Sequence, residues 1–94
     1  MSSYVVGVID KQDREKYESY VGAGFQSIEG FDVKVTLAEQ PEVLEGHFPG
    51  TTMIIMEFKG DDDARKWFDS DAYQAARVIR HASARTPFMI HFKA

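Results

Sequence analysis

The stretch FDVKVTLAE, residues 31–39, alternates without a break: Val33, Val35 and Leu37 fall to one side, Asp32, Lys34 and Thr36 to the other. Only a two-residue period does this, so the segment is a β-strand with one dry face and one wet face. A sheet of that kind has to bury its dry face under another layer. The rest of the chain supplies both. YVVGVI (4–9) is short, β-branched and closed off by DKQD, the pattern of a buried strand. TTMIIMEFK (51–59) is almost continuously apolar, as a central strand would be, with Glu57 as its interruption. TPFMIHFK (86–93) reads as a last strand.

Between them the period changes to that of a helix. In DREKYESYVGAGFQSI, Tyr17, Tyr20, Val21, Phe25 and Ile28 recur at steps of three and four and so share one helix face. Asp13 is placed to cap it, and Glu15 suits the positive end of its dipole. Gly22 and Gly24 each cost about 1 kcal/mol of helix propensity relative to alanine, which predicts close packing of helix on sheet. GDDDARKWFD puts three acids in a first helical turn, with Ala64, Trp67 and Phe68 as the buried stripe. Ser70 caps a further helical piece, SDAYQAARVIRHASA, packed through Ala72, Tyr73, Ala76 and Ile79, with Arg80 near the edge. The order β-α-β-β-α-β is that of an α+β, ferredoxin-like split βαβ fold. It predicts four antiparallel strands in spatial order 4-1-3-2 with the helices on one face.

At 94 residues the chain is expected to be one domain, 1–94. Its net charge of −4 sets it against phosphate backbones, and it lacks the basic aromatic strand signature of RNA-binding sheets, so no nucleic acid is expected. The absence of cysteine excludes disulfides and thiolate sites and accords with a reducing cytoplasm. MSSYVVGVIDKQD has no basic leader, and its apolar run is too short for a signal peptide or a span; a soluble chain with no membrane partner is the expectation. No phosphate loop, G-x-S-x-G or H-E-x-x-H occurs, so no cofactor or metal is expected.

Three blocks in order, EVLEGHFPG (42–50), IIMEF (54–58) and ARKWFDSDAYQAARVIR (64–80), with D-x-E-x-Y-x-x-Y at 13–20, resemble the family known as domain of unknown function 1330. His47-Phe48 stands where that family often carries an acid and a tryptophan. The resemblance implies a dimeric α/β barrel, in which the sheets of two copies face each other in a homodimer. It implies no settled activity. Related barrel-type dimers include cofactor-free monooxygenases and isomerases, an analogy at the level of fold.

Strand parity suggests where a site would lie. Ile54, Met56 and Phe58, with Val33, Val35, Leu37 and with Phe88, Ile90 and Phe92, are assigned to the helix side. Lys34, Thr36, Met53, Ile55, Glu57, Met89, His91 and Tyr4 are left for the opposite face, a mixed surface suited to a small-molecule cleft. Glu57 is the candidate acid or base there, against the simpler reading of an ion pair with Lys34 or an arginine. Tyr4, Lys34, His91, Glu45 and His47 are the candidate ligand-binding residues. Glu45 and His47 alone make a poor metal pair, lacking a third ligand. Arg77 and Arg80, one turn apart, can clamp an anion or merely form a solvated or interface stripe. His81 suits the negative end of its helix. The loop between the second and third strands is too long for a hairpin connection. It is expected to tuck Val43 and Leu44 against the sheet, bend at Gly46 and Pro49-Gly50, and raise Glu45 and His47 as a lip beside Glu57. The alternative is a non-catalytic dimeric module whose mixed sheet face is only the subunit interface.

Overall fold

A computed structural model describes all residues, 1–94. The elements are β1 (Ser3–Lys11), α1 (Arg14–Ser27), β2 (Val33–Glu39), β3 (Thr52–Phe58), α2 (Asp63–Asp69), α3 (Asp71–Ser83) and β4 (Ala84–Lys93). All strand pairs are antiparallel, in the order β2-β3-β1-β4, which is the expected ferredoxin-like order. The caps are those read from the sequence: Asp13 Oδ1 accepts from Lys16 N at 3.0 Å and Ser70 Oγ from Tyr73 N at 3.2 Å.

One apolar cluster joins the helices to one side of the sheet. Val5, Ile9, Met56 and Phe58 meet Tyr17 and Tyr20 of α1, Ala64 and Trp67 of α2, and Tyr73 and Ala76 of α3. Trp67 lies at its centre, 4.0 Å from the Tyr73 ring and 5.7 Å from that of Phe58. Its indole Nε1 donates to Ser27 Oγ at 2.9 Å, so the polar end of a buried ring is satisfied across two helices. Tyr20 and Tyr73 share a hydrogen bond of 2.9 Å in the same way.

The register corrects one expectation with consequences for the site. Val5 and Met56 are opposite one another on the helix side, as are Gly7 and Ile54. On β4 the partners of Val5 and Gly7 are His91 and Met89, while Tyr4, Val6 and Val8 pair with Phe92, Ile90 and Phe88. Phe88, Ile90 and Phe92 therefore face away from the helices, and Met89 and His91 face toward them. Residues directly opposite in a ladder share a face, and a shift of one residue inverts the whole strand. Here the β1–β4 register changes at Ile9, between Val8 and Asp10, and β4 follows α3 with no intervening loop, at Ala84.

The glycines of α1 also depart from expectation. A Cβ at Gly22 or Gly24 would meet nothing within 4 Å, so neither is needed for close packing. Gly50 is: a Cβ there would lie 2.6 Å from the Ile9 carbonyl oxygen and 2.8 Å from Val8 Cγ1. Gly22→Ala is expected to stabilise the protein by about 0.5–1 kcal/mol. Gly50→Ala is expected to destabilise it by about 1–3 kcal/mol through overpacking against backbone. Urea titration of the two variants checks the opposite signs.

An ion pair closes the end of the core. Lys11 Nζ donates to Glu39 Oε1 at 2.8 Å and lies 5.0 Å from the Tyr17 ring centre, while Thr52 Oγ1 donates to Glu39 Oε2 at 2.9 Å. The Lys11 hydrogen bond is the largest influence on the Glu39 carboxyl; burial opposes it, but with the Thr52 hydrogen bond and the Lys11 charge added the carboxyl is held below its ordinary value. A depressed carboxyl contributes stability above its unfolded value and loses it as pH falls through the folded one. Glu39→Gln should therefore flatten the decline of stability on acidification below about pH 4.5, measured by urea unfolding across pH.

Candidate functional site

The open face of the sheet carries far more apolar surface than its strands suggest, because β4 contributes its aromatic row there. Ile55, Phe88, Ile90 and Phe92 are 36–51 % exposed. Tyr4 stacks on Phe92 with ring centres 4.9 Å apart and planes within 6°. Val8 lies on the same face yet is only 1 % exposed, because Gly50 rests on it.

Three candidates fall in one cross-strand row. Lys34 on β2, Glu57 on β3 and Tyr4 on β1 are successive register partners on the open face, continued by Phe92 on β4. Glu57 and Lys34 are both exposed and make no ion pair with each other. His91 does not join them. It is exposed on the helix side of β4, where it lines a shallow cleft with Arg65, Phe68 and Met89.

The loop after β2 is closed at its base. Gln40, at φ 48°, donates its N–H to the Thr51 carbonyl at 2.9 Å, and Thr51 N donates to the Ile9 carbonyl at 2.8 Å. Arg85 Nη2 reaches both the Pro49 carbonyl (3.1 Å) and Asp10 Oδ2 (3.3 Å), tying the loop to β1 and β4. Gly46 bends the loop at φ 92°, as its sequence suggested. Val43 and Leu44 do not tuck against the sheet: they are 45 % and 86 % exposed. Both instead border the open concavity that the loop makes with Met53.

What the loop does form is an open concavity of ≈ 740 Å³ lined by Glu42, Leu44, Glu45, His47 and Phe48 and ending on Met53. Met53 shares Glu57's face but lies four residues away, roughly 13 Å along the strand. Glu45 and His47 thus border the open face at the opposite end from Glu57. No three His, Cys, Asp or Glu side chains come together as a metal site.

The arginines of α3 separate. Arg77 covers the Phe68 ring at 5.6 Å. Arg80, only 2 % exposed, lies 5.9 Å from the Tyr20 ring centre and donates from Nη1 to Thr86 Oγ1 at 2.9 Å. They form no common clamp. His81 beside them is held below its ordinary pKa by desolvation and by the charges of Arg80 and Arg77. A buried arginine was not legible as such, since nothing in RVIRH separates the interior cation from the half-buried one.

A family model described as domain of unknown function (DUF1330) matches residues 2–92. The chain belongs to the DUF1330 family. No functionally curated protein matches it. Among solved structures, a dimeric ferredoxin-like protein of unknown function from Thermobifida fusca superposes with a TM-score of 0.70 at 13 % identity, covering 100 % of this chain and 92 % of that one. A protein of unknown function from Rhodopseudomonas palustris gives a TM-score of 0.77 at 15 % identity, over 99 % and 82 %. A variant of SnoaB, a cofactor-independent oxygenase from Streptomyces nogalater, gives 0.72 at 13 % identity, over 99 % and 92 %. At these identities the likeness is one of fold. No helix is long and apolar enough to cross a membrane.

Proposed function

We propose that this DUF1330 protein works as a homodimer in which the open sheet faces of two copies close on each other. On this reading each loop over residues 41–50 then walls a small-molecule chamber at the end of the interface. The observation that carries the dimer is the row of half-exposed Ile55, Phe88, Ile90 and Phe92 on a face that no element of the chain covers. Contiguous apolar surface of this kind marks an interface. Four strands about 4.8 Å apart and some 25–30 Å long offer roughly 500 Å² in projection, and more with side-chain relief. That approaches the roughly 800 Å² per partner of a standard interface. The related Thermobifida protein is described as dimeric, which supports the same arrangement.

The chamber rests on the loop. Its concavity of ≈ 740 Å³ falls within the range of about 300–1,000 Å³ of small-molecule sites, but it is wide open, and on this reading the second copy closes it. Glu42, Glu45 and His47 supply its polar groups and Met53 its floor. Glu57, Lys34 and Tyr4 lie at the other end of the face, as polar groups within the interface. Light scattering tests the reading: a mass of twice 10.7 kDa at micromolar concentration supports it, and a monomer overturns it.

A further inference from the structure

The concavity under the loop over residues 41–50 is one-sided in charge. Glu42 and Glu45 line it, and no lysine or arginine does. Neither carboxylate takes part in any of the ion pairs of the molecule. The bases at the foot of the loop are engaged elsewhere: Arg85 holds Asp10 and the Pro49 carbonyl, and Lys11 holds Glu39. Beside the two acids the wall is apolar. Val43, Leu44, Phe48 and Met53 line the same concavity, and Val43 and Leu44 are 45 % and 86 % exposed, large apolar groups with nothing to cover them.

Open to solvent, the two carboxylates are hydrated. Closing the concavity strips that water, which is costly unless an opposite charge takes its place. A second copy of the open sheet face does not bring one. Lys34 is the one base of the four strands outside an ion pair, and Glu57 lies opposite it in register, so the two charges offset. The missing positive charge has to come with the occupant.

We propose that this concavity binds a small primary amine with an apolar body. The inference deepens the reading of the loop as the wall of a small-molecule chamber and rests on it. The ammonium lies between Glu42 and Glu45, and the body lies against Leu44, Phe48 and Met53. Carboxylates only accept and an ammonium only donates, through three N–H groups, so the pairing is charge-assisted on both sides. A metal ion is the poorer occupant, since no three acids or histidines come together there. An anionic ligand is repelled by both acids.

Met53 floors the concavity, and the chain has four methionines, so its ε-methyl is one of four signals in a ¹³C-methyl-methionine spectrum, identified by its loss in Met53→Leu. Titration with 4-phenylbutylamine should move that signal, with uncharged 4-phenylbutanol binding about tenfold more weakly and 4-phenylbutyrate more weakly still. Glu42→Gln combined with Glu45→Gln changes only exposed side chains, should fold, and should reduce the amine to the affinity of the alcohol. Glu18→Gln combined with Glu29→Gln removes the same charge from exposed positions elsewhere and should leave amine affinity within about twofold. Equal binding of amine and alcohol to the wild type, no movement of the Met53 signal at millimolar amine, or an equal loss in the two double variants overturns the proposal. Light scattering on the same samples separates it from the dimer. Amine selectivity in a monomer overturns the dimer alone, and its absence in a dimer overturns the amine site alone.

Discussion

If the proposed dimer closes through the open sheet face, replacing Ile90 with glutamate is expected to yield a folded monomer. Ile90 is 51 % exposed and sits opposite Val6, which is in turn opposite Ile55, so it belongs to the middle row of the open face. Losing the burial of an isoleucine forfeits about 1.5–3 kcal/mol, and an unpaired carboxylate in a closed interface costs several more. Two-fold symmetry enters the change twice, once from each copy. A total of even ~3 kcal/mol raises the dissociation constant more than a hundredfold. Sedimentation equilibrium should show the shift with an unchanged far-ultraviolet circular dichroism spectrum, because Ile90 is outside the core cluster. A variant that stays dimeric at micromolar concentration would place the interface elsewhere.

Phe58→Ala should produce the largest loss of stability from a single truncation. Phe58 is fully buried, edge-on to Phe31 at 5.8 Å and tilted against Trp67 at 5.7 Å. Removing a ring from such a site costs about 3–5 kcal/mol, the transfer free energy of the ring plus the cavity it leaves. For a domain of this size that lowers Tm by more than about 12 °C. Phe88→Ala, on the open face at 38 % exposure, is the contrast. It should change the stability of the folded chain by less than about 1 kcal/mol and act instead on the proposed dimerisation. Both are read by urea unfolding followed through Trp67, at one protein concentration, since dimerisation makes apparent stability concentration-dependent. A loss below about 1 kcal/mol for Phe58→Ala would contradict the core described above.

The periods of FDVKVTLAE and of the Tyr17–Ile28 face were enough to give strands, helices and their order, because side-chain periodicity is a local consequence of backbone geometry. Asp13 and Ser70 announced two helix starts for the same reason: a cap bonds within three residues of itself. The open face was legible in part. Tyr4, Lys34 and Glu57 were assigned to it correctly, since their strands alternate apolar and polar or lie next to one that does.

Strand β4 resisted because both of its faces carry apolar groups. Alternation alone separates Phe88, Ile90 and Phe92 from Met89 and His91; it does not say which row meets the helices. That choice belongs to the pairing of β4 with β1 and its register change beside Ile9. The same holds for Arg80 and Arg77, three residues apart on one helix. Only the packing of α3 against α1 and β4 makes one interior and the other half-exposed. Gly50 and Gly24 look alike in the sequence, yet one lies against the Ile9 carbonyl and the other borders open space. The sequence by itself determined the elements, their order and two of their caps, which depend on neighbours along the chain. The tertiary structure decided which row of β4 faces outward, which arginine is buried without a counter-ion, and that Val43 and Leu44 stay uncovered, because each depends on contacts between residues far apart in the chain.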